Sequence, residues 1–444
     1  MVTKNVLIIS LDWTKVGGAE NYAINLKQGL EELGHNVTIM SYVNSLDVNS
    51  NYDILLDKNT NFNAYKSLIN SADIIYLNGA GNYLEDKKNT HNYLDLIKLI
   101  GKSNAIKFLM IHGPRQFTHT PLFNKILKDA KIDLLLTTRQ SVIKQLDNYL
   151  DVNNKHYLDK IKILEIPVDL SNINDFVGLN LDSIVMTSRV TPYKHQDKLI
   201  KLCNKVNLNA IIYGFNKNTT NQKELQYYNK LKQLGKFKYF EIFTNEMLPN
   251  ILSKYSFHAN LSDYSDKNDD LARETTTIEA IKYGCIPIVS KQTSDGFTHL
   301  KDAFIIDIKA DLTQQAKELK KFMQLPLYKL KKIHNNAIQI IKVHDRINIA
   351  NKLIQYAELI NQNKTGVDFA LEKVLAIRKN RRQIYGDGFL TAKDRHFVTM
   401  ILEKVNRMET IYEAGNNNYE KLEDTLIDLT NYALMYLEVL LRRS

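Results

Sequence analysis

The stretch at residues 269–290, DDLARETTTIEAIKYGCIPIVS, places polar side chains directly before an apolar run. Glu274 and the three threonines after it stand where a helix should begin, and side-chain oxygens there can cap free backbone N–H groups. Gly284 should end this helix, and residues 286–289 have the pattern of a buried parallel strand. A helix N-terminus offers N–H donors and a positive dipole end, which suit a phosphate or a sugar hydroxyl. An ordinary capped helix fits the same residues, so both interpretations stay open.

Two cations follow a predicted strand in the second half of the chain. The segment SRVTPYK at 188–194 comes after a strand predicted at 183–187 and carries Arg189 and Lys194. Arginine offers a planar fork to two oxygens and lysine offers a point charge, and both suit phosphate. These two residues are therefore candidates for a phosphate site.

The first half opens with a βαβ unit. A strand at 5–10, a helix to about residue 33 and a strand at 36–42 imply a parallel sheet. Gly17 and Gly18 lie in the first strand-to-helix turn, where a phosphate can approach bare backbone. Their spacing is not GxGxxG, so a dinucleotide fingerprint is poorly supported, and a plain tight turn stays open.

His112 follows a predicted strand at 106–111 and precedes Gly113-Pro114-Arg115. Open α/β sheets bind ligands at the carboxyl ends of their strands, which is where this histidine falls. A lone histidine is more often structural than catalytic, but the position makes His112 a candidate site residue.

The remaining elements arrange these candidates on two α/β halves. Further strands are predicted at 74–77, 132–137, 161–166, 209–213, 239–243 and 257–261. An Asn- and Asp-rich segment at 171–180 should connect the halves. Helices are predicted at 312–323 and from 327 to about 361, followed by a polar hinge at 361–367. We therefore expect an N-terminal Rossmann-like domain at 1–170, a C-terminal one at 171–330, closing helices at 331–362 and a helical extension at 363–444.

Composition and charge narrow the class of protein. The chain has 444 residues, 44% hydrophobic and 24% charged, which predicts a globular protein of at least two domains. No run of about 18 apolar residues and no signal-like N-terminus is present, and Cys203 and Cys285 lack metal spacing, so we expect a cytoplasmic protein. The formal net charge of +10 favours anionic partners, although a spread excess also serves solubility. Local basic clusters lie at 236–238, 329–332 and 378–382.

The ordered set of motifs resembles the retaining GT-B glycosyltransferases, also called glycosyl transferases group 1. The resemblance covers roughly residues 1–360 and rests on VGGAE, the strand before His112, IPVD at 166–169, SRVTPYK, IYG at 212–214 and the stretch from Glu274. It implies two facing Rossmann-like domains with a nucleotide-sugar in the cleft. No cofactor and no metal are expected, and the substrate implied is a UDP-sugar.

The resemblance also implies roles for particular residues. The implied catalytic set is His112, Arg189, Lys194 and Glu274. The implied donor-binding set is Gly17, Gly18, Arg189, Lys194, Tyr213, Gly214, Thr275, Thr276 and Glu279. Arg189 and Lys194 would hold the diphosphate, Glu279 the ribose, and His112 the donor sugar. A leaving diphosphate gains negative charge as the glycosidic bond breaks, so these cations and helix amides would stabilise that state preferentially.

The chain departs from the common family pattern at its glutamates. The usual pair is separated by seven residues, but the position eight before Glu279 is Leu271, and the nearest upstream glutamate is Glu274. This short spacing, together with the GCIPI ending, also resembles phage α-glucosyltransferases that modify hydroxymethylated cytosine in DNA. His112 is followed by Gly113 instead of the frequent Asp.

Two acceptors and one alternative class of protein remain open. A hydroxymethylated base in DNA fits the positive charge, and it would require a basic face for the DNA. A cell-envelope or lipid-linked glycan is the second acceptor, since the apolar C-terminal helix could bind a membrane surface, pack on the core or mediate self-association. A non-catalytic nucleotide or nucleic-acid binding protein could also use this fold.

Overall fold

The computed structural model describes residues 2–10, 18–42, 52–56, 60–79, 90–113, 120–138, 140–216, 219, 221–241, 243, 245–263, 274–365, 374–375, 377–378, 388–413 and 419–443. The chain divides into two compact units, Met1–Gln355 and Tyr356–Ser444.

The first sheet of the larger unit has seven parallel strands in the order β3-β2-β1-β4-β5-β6-β7. The strands are β1 (Asn5–Ser10), β2 (Asn36–Tyr42), β3 (Ile54–Leu56), β4 (Ile74–Asn78), β5 (Ile106–Ile111), β6 (Leu134–Thr137) and β7 (Ile161–Ile163). The helices that connect them are α1 (Gly18–Glu32), α2 (Lys66–Ser71), α3 (Thr90–Lys102), α4 (Thr120–Ala130) and α5 (Gln140–Leu146). β4, β5 and β6 are buried along their whole length, as expected for central strands of a sheet covered on both faces.

The second sheet has six parallel strands in the order β10-β9-β8-β11-β12-β13. The strands are β8 (Ser183–Thr187), β9 (Asn209–Phe215), β10 (Lys238–Glu241), β11 (Phe257–Asn260), β12 (Ile286–Ser290) and β13 (Phe304–Ile306). Its helices are α6 (Gln196–Lys205), α7 (Gln222–Lys232), α8 (Leu248–Leu252), α9 (Thr275–Lys282), α10 (Leu312–Met323) and α11 (Leu327–Ile341). A separate hydrophobic core lies under each sheet, one including Leu109 and Leu135 and the other including Ile212 and Ile288.

The strand order fixes where each sheet can bind a ligand. In the first sheet, β2 and β3 lie on one side of β1, and β4 to β7 lie on the other. In the second sheet, β9 and β10 lie on one side of β8, and β11 to β13 lie on the other. The strand order therefore reverses at β1/β4 and at β8/β11. In open α/β sheets, ligands bind in the crevice at the carboxyl edge where the strand order reverses. The carboxyl ends of β1, β8 and β11 therefore lie at the candidate site of each sheet.

The chain crosses back to the first sheet through helix α12 (Arg346–Thr365). The guanidinium of Arg346 donates to Gln28 Oε1 at 2.6 Å and to Glu32, both on α1. A Cβ on Gly29 would lie 2.4 Å from the backbone oxygen of Arg346, so the missing side chain permits this close approach. Lys352 on α12 pairs with Glu165 at 2.9 Å, close after β7. The C-terminal part of the larger unit thus packs against its N-terminal part.

The smaller unit contains an antiparallel helical hairpin of α13 (Asp394–Glu413) and α14 (Tyr419–Arg443). The rings of Phe397 and Tyr436 stack with centroids 5.2 Å apart, and Lys404 pairs with Asp428 at 2.8 Å. Arg378, the described arginine of the basic cluster at 378–382, is paired with Glu438. Its charge is therefore already compensated within this unit.

Most sequence-predicted elements are present, with differences at short strands and helix ends. β3 and β13 have three residues each and were not predicted, because so short a run shows no periodicity. The helix predicted from 327 to 361 is interrupted at Lys342–His344, and Asp345 Oδ1 accepts from the N–H groups of Ile347 and Asn348 to start α12. The predicted hinge was wrong over 361–365, which is helical, while 366 and 367 lie outside the described residues. No helix in the described part of the chain is both long and apolar enough to cross a membrane.

Candidate functional site

Arg189 lies in a turn after β8 that the neighbouring strand and helix hold in place. The buried amide of Gln196 donates to Ser188 Oγ at 3.1 Å and to the carbonyl of Arg189 at 3.0 Å. Gly214 on β9 has φ +122°, and a Cβ there would lie 2.1 Å from Ser188 O. Only glycine fits at this position without moving the turn. The sequence motifs around Arg189 and Gly214 therefore form one structural feature.

A shallow open pocket adjoins this turn. Its walls are formed by the following residues: Arg189, Val190, Gly214, Phe215, Asn216, Thr219, Glu224, Leu225 and Tyr228. Arg189 is exposed, and no acceptor among the described residues binds its guanidinium. Glu224 accepts a hydrogen bond from Thr219 Oγ1 at 2.9 Å. The pocket thus presents one guanidinium available to an anion and one carboxylate that is already hydrogen-bonded.

Tyr213 precedes Gly214 on β9 and is half-buried. Its ring stacks on Phe240 with centroids 4.5 Å apart and an interplanar angle of 14°. Burial, with a smaller effect of Tyr255, raises the pKa of Tyr213 to about 12, so its phenol is neutral at ordinary pH. Tyr213 therefore supports the strand next to the pocket as a neutral aromatic side chain.

Lys194 reaches across the carboxyl edge of the sheet to the start of α9. Its Nζ lies 2.5 Å from Glu274 Oε2, and both side chains are 13% exposed. The same carboxylate oxygen accepts from Asn260 Nδ2 at 3.1 Å. Lys194 and Glu274, which are 80 residues apart in the sequence, therefore meet at the start of α9.

The expectation that the Glu274 side chain caps α9 was wrong. Glu274 is the N-cap residue, but its carboxylate makes no capping hydrogen bond and pairs with Lys194 instead. The N–H groups of Thr277 and Ile278 bond to Glu274 O, whereas no acceptor among the described residues binds those of Thr275 and Thr276. Because Glu274 pairs with Lys194, the side chain at the N-cap leaves two amides at the positive end of the helix dipole without an acceptor in the described part of the chain.

Glu279 lies one helical turn after Thr275, on the same side of α9. Its carboxyl is half-buried, and burial raises its pKa to about 7 against the opposing effect of Lys282. Lys282 is turned away towards Asp169, at 3.3 Å. A proton on Glu279 is therefore lost near neutral pH.

Asn260 is a buried residue of this site that the sequence reasoning did not identify. Its Nδ2 donates to Glu274 and, at 3.0 Å, to Thr277 Oγ1, while its Oδ1 accepts from Ser262 Oγ at 2.8 Å. Its backbone carbonyl accepts from Thr293 Oγ1 at 2.9 Å. The available signal was its place at the carboxyl end of β11, directly before a polar loop.

His258 lies two residues earlier on β11 and is fully buried. Burial lowers its pKa to about 3, although Glu274 opposes the shift. Its Nε2 is 3.0 Å from Thr187 Oγ1 at the end of β8. This histidine is therefore a neutral core residue that joins the two strands on either side of the crevice.

His112 lies at the corresponding edge of the first sheet. Its Nε2 is 2.8 Å from Asn78 Oδ1, and Asn78 Nδ2 donates at 2.9 Å to the carbonyl of Ala19 in the first turn of α1. The ring of Tyr22 meets that of His112 edge-on at 5.3 Å. Gly18 begins α1, where a Cβ would meet nothing within 4 Å, and Gly17 lies outside the described residues. His112 is thus held at the carboxyl edge by a neighbouring strand and a helix.

No cluster of three His, Cys, Asp or Glu side chains that could hold a metal ion occurs within the described ranges. Asp269-Asp270 and Leu271 lie outside those ranges.

Comparison with solved structures identifies the architecture. An α-glucosyltransferase in complex with UDP and a 13-mer DNA containing a central A:G mismatch matches 81% of this chain and 100% of its own, with a TM-score of 0.64 and 13% identity. The chain has the GT-B fold. The resemblance drawn from the motifs is confirmed at this level, and so is the predicted pair of Rossmann-like α/β halves.

Two further GT-B structures match over similar lengths. A glycosyltransferase from Rickettsia africae ESF-5 matches 81% of this chain and 99% of its own, with a TM-score of 0.56 and 16% identity. S. aureus TarM, in complex with fondaparinux, α-GlcNAc-glycerol and UDP, matches 80% of this chain and 100% of its own, with a TM-score of 0.54 and 12% identity. No protein-family model matches the sequence, and no curated protein matches it.

Proposed function

We propose that this protein is a retaining glycosyltransferase that takes a sugar from a nucleotide-sugar, a UDP-sugar, and transfers it to an acceptor hydroxyl. The observation that carries the proposal is the carboxyl edge of the second sheet. There, the exposed guanidinium of Arg189 lines a pocket, while Lys194 and the open amides of Thr275 and Thr276 meet at the start of α9. Such an arrangement suits a diphosphate.

The proposed chemistry needs no protein nucleophile. The bond between the anomeric carbon and the diphosphate oxygen breaks, and its electron pair stays on the diphosphate. The acceptor oxygen then bonds to the same face of that carbon, and its proton passes to the departing diphosphate. Arg189, Lys194 and the α9 amides stabilise the charge that develops, which is where fixed donors contribute most.

Glu274 has a second task in this scheme. In the structure it neutralises Lys194, so Lys194 must shift part of its interaction to the incoming diphosphate when the donor binds. The carboxylate can then also accept from a sugar hydroxyl. Asn260 stays bonded to Glu274 and keeps it at the start of α9.

The chemistry of the pocket orients the nucleotide. The carboxylate of Glu224 would repel a phosphate but can accept an N–H of a base. We therefore place the base beside Gly214 and Glu224, the ribose against Glu279, and the diphosphate between Arg189 and Lys194. His112 and the Gly17-Gly18 turn would then approach the donor sugar and the acceptor from the first sheet.

A hydroxymethylated base in DNA is the acceptor we favour. Structures of an α-glucosyltransferase bound to UDP or UDP-glucose, and in several cases also to DNA, match this chain with TM-scores of 0.62 to 0.65, against 0.53 to 0.56 for the other glycosyltransferases compared. The net charge of +10 suits a polyanion. A base inside a duplex must leave the stack before its hydroxyl can react.

A cell-envelope or lipid-linked glycan is the second candidate acceptor. S. aureus TarM, which was solved with α-GlcNAc-glycerol, favours it. A non-catalytic nucleotide or nucleic-acid binding protein is the alternative class, and the departure at Leu271 from the usual glutamate spacing favours it.

Donor use can be tested without knowing the acceptor. Each nucleotide-sugar of a panel is added to the protein, and the melting temperature and the slow release of free nucleotide are measured. We expect a UDP-sugar to raise the melting temperature, since a ligand of the folded state stabilises it, and to be hydrolysed slowly. Stabilisation by UDP without hydrolysis of any UDP-sugar would favour the non-catalytic binder, and no stabilisation by any nucleotide would overturn the proposal.

The acceptor is tested with matched duplexes that carry cytosine or 5-hydroxymethylcytosine at one position. We expect radiolabel from the donor only in the hydroxymethylated duplex, with DNA binding that weakens steeply as salt is raised. Label in a glycerol-phosphate or lipid-linked glycan and none in DNA would replace the DNA acceptor by the second candidate. Donor hydrolysis would remain as evidence for the enzyme in that case.

A further inference from the structure

Helix α13 carries an apolar stripe that its hairpin partner does not cover. Val398, Leu402 and Val405 follow at helical spacing and are 41% to 54% exposed. Phe397, one residue before the stripe, is buried against Tyr436 of α14. The exposed stripe is thus separate from the seam of the hairpin.

Helix α14 has an equivalent stripe. Leu426, Leu437 and Leu440 are 43% to 51% exposed, and Thr430 and Ala433 between them fall on the same side of the helix and are also exposed. Leu437 follows Tyr436, as Val398 follows Phe397. On each helix the stripe is therefore offset by one residue from the ring contact that joins the helices.

The two stripes lie on one face of the hairpin. One residue corresponds to about 100° of helical rotation, and the direction of that rotation reverses when a helix is viewed from its other end. Because α13 and α14 are antiparallel, equal rotations away from their shared contact lead to the same side. We call this surface, formed by Val398, Leu402, Val405, Leu426, Leu437 and Leu440, the hairpin face.

We propose that the hairpin face is the contact surface of a homodimer, covered by the same face of a second copy. Opposite charges at the two ends of the α13 stripe support this partner. Arg395 precedes the stripe by one turn and Glu409 follows it by one turn, and each is seven residues from Leu402. When two copies pack antiparallel with Leu402 at the two-fold axis, Arg395 of each copy lies opposite Glu409 of the other.

The middle of the α14 stripe lies at the same level of the hairpin as Leu402, the middle of the α13 stripe. An antiparallel copy would place Leu426 opposite Leu437 and Thr430 opposite Ala433. The ring contact of Phe397 with Tyr436 and the Lys404–Asp428 ion pair set the level of one helix against the other. At those levels Leu402 is opposite the middle of the span from Leu426 to Leu437, so one two-fold axis serves both helices.

Charge also selects between the two possible symmetries. A two-fold axis parallel to the helices would place α13 of one copy over α14 of the other, with Glu409 beside Glu423 at one end. An axis perpendicular to the helices pairs opposite charges instead. Like charges across an interface are costly, so the perpendicular axis is selected.

The hairpin face is the size of a weak interface. From Arg395 to Glu409 the α13 stripe and its end charges span about 21 Å. Two helices about 10 Å apart then offer roughly 400 Å² per copy, in the range of weak, transient contacts. We expect a dimer that dissociates in the micromolar range.

The first test measures the mass of the full-length protein by sedimentation over about 1 to 100 µM, the affinity range expected for a small interface. Leu402→Glu puts two like charges at the axis and should raise the dissociation constant by about tenfold or more, because central contacts dominate interfaces. Val177→Glu, at an exposed valine outside the hairpin, should leave it unchanged. Helical content by circular dichroism checks that both variants fold. A wild-type monomer at every concentration, or a Leu402→Glu dimer of wild-type affinity, would overturn the proposal.

The second test identifies the antiparallel pairing. Arg395→Glu and Glu409→Arg should each weaken self-association by about tenfold, because symmetry repeats every repulsion twice. An equimolar mixture of the two variants should recover the affinity, since each copy then meets the opposite charge. A mixture as weak as its components would overturn this symmetry. Binding of the protein as a monomer to vesicles of anionic lipid, lost in Leu402→Glu, would instead make the face a membrane contact.

Discussion

At the level of single residues, the two cations of the candidate site differ in their environment. Arg189 is exposed and its guanidinium has no acceptor among the described residues, whereas Lys194 is held by Glu274. The first is therefore available for an anion without rearrangement. The second belongs to a buried polar network and contributes to stability as well as to binding. Substitution of each should separate these two contributions.

We expect Arg189→Ala to lower kcat/KM for donor hydrolysis by about 10²- to 10³-fold, the typical effect of losing one preorganised donor to a developing anion. The melting temperature should stay within a degree or two, because the side chain makes no internal bond to the described residues. Lys230→Ala, which removes an exposed lysine of α7 away from the pocket, is the matched control. Activity that survives in Arg189→Ala would contradict the diphosphate site.

We expect Lys194→Ala to lose both activity and stability. The half-buried carboxylate of Glu274 would lose its cation, at a cost of about 1–3 kcal/mol in the free energy of unfolding. Glu274→Gln in the same chain should restore most of the stability but not the activity, because the amide needs no counter-charge. Urea unfolding and donor hydrolysis of the two variants measure these effects. Equal stability of wild type and Lys194→Ala would show that the ion pair contributes nothing.

The raised pKa of Glu279 predicts a pH dependence of both stability and binding. A carboxyl with a folded-state pKa of about 7 favours folding most below its unfolded pKa of about 4.3, and this contribution is lost as pH rises through about 7. Glu279→Gln should therefore be more stable than wild type at pH 8.5, by on the order of 1–3 kcal/mol, and show little difference at pH 4.5. Urea unfolding at both pH values measures it.

Ribose binding should show the opposite trend with pH. An ionised Glu279 accepts ribose hydroxyls better than a protonated one, so UDP affinity should rise between pH 6 and 8 in the wild type. Glu279→Gln should bind more weakly and lose this rise. Titration calorimetry at the two pH values tests it. An equal pH dependence in both proteins would remove Glu279 from the ribose site.

At the level of helices and strands, the turn between β8 and α6 depends on a glycine of the adjacent strand. Gly214→Ala would combine a positive φ with a Cβ 2.1 Å from Ser188 O, so the turn that carries Arg189 must move. We expect a loss of about 2–4 kcal/mol in stability, together with weaker UDP binding in the protein that remains folded. Gly18→Ala, with open space around its Cβ, should be neutral or stabilising in the same unfolding assay. Neutral behaviour of Gly214→Ala would contradict the structure of this turn.

The same elements show how much could be predicted from sequence. Strands such as β5 and β8 were predicted with the bounds that the structure shows, because a short, mostly apolar run between polar turns leaves few alternatives. The Lys194–Glu274 pair could not be predicted, since it joins residues 80 positions apart through the order of the strands. Asn260 was missed for the same reason, because its role depends on two loops that only the folded sheet brings together.

The start of α9 illustrates a further limit. Threonines and a glutamate at a helix start predict capping, and local propensity gives no reason for another outcome. Lys194, which comes from a different loop, pairs with Glu274 instead, and two amides of α9 have no acceptor among the residues that the structure describes. Where tertiary contacts compete with local ones, the sequence pattern predicts which residue stands at the helix start but not which group its side chain binds.

At the level of the whole molecule, the larger unit is held together by the return of the chain to its first sheet. Arg346 on α12 binds Gln28 and Glu32 on α1. This contact joins the two parts of the larger unit that carry the candidate sites. Lys282 and Arg346 both act on Asp169 between the sheets. Burial alone would raise the pKa of Asp169, but hydrogen bonds from Ser171 and these two cations outweigh it and lower the pKa to about 2. The Asp169 carboxylate, in the connection between the sheets, is therefore ionised at neutral pH.

This connection predicts that donor binding and transfer can be separated. Gly29→Ala would place a Cβ 2.4 Å from Arg346 O and displace α12 from α1, whereas the groups proposed to bind UDP all lie on the second sheet. We expect an unchanged dissociation constant for UDP and a fall of about tenfold or more in the transfer rate, because misplacement by about an ångström is enough to disturb a reacting geometry. Arg346→Ala, which removes the bonds to α1 without a clash, should act in the same direction but less strongly. Gly101→Ala makes a comparable clash, with Asp129 O, inside the first sheet's own helices, and it controls for lost stability alone. If Gly29→Ala lowers the UDP affinity by the same factor as the transfer rate, the first sheet contributes directly to donor binding. The proposal that the second sheet alone binds UDP would then be wrong.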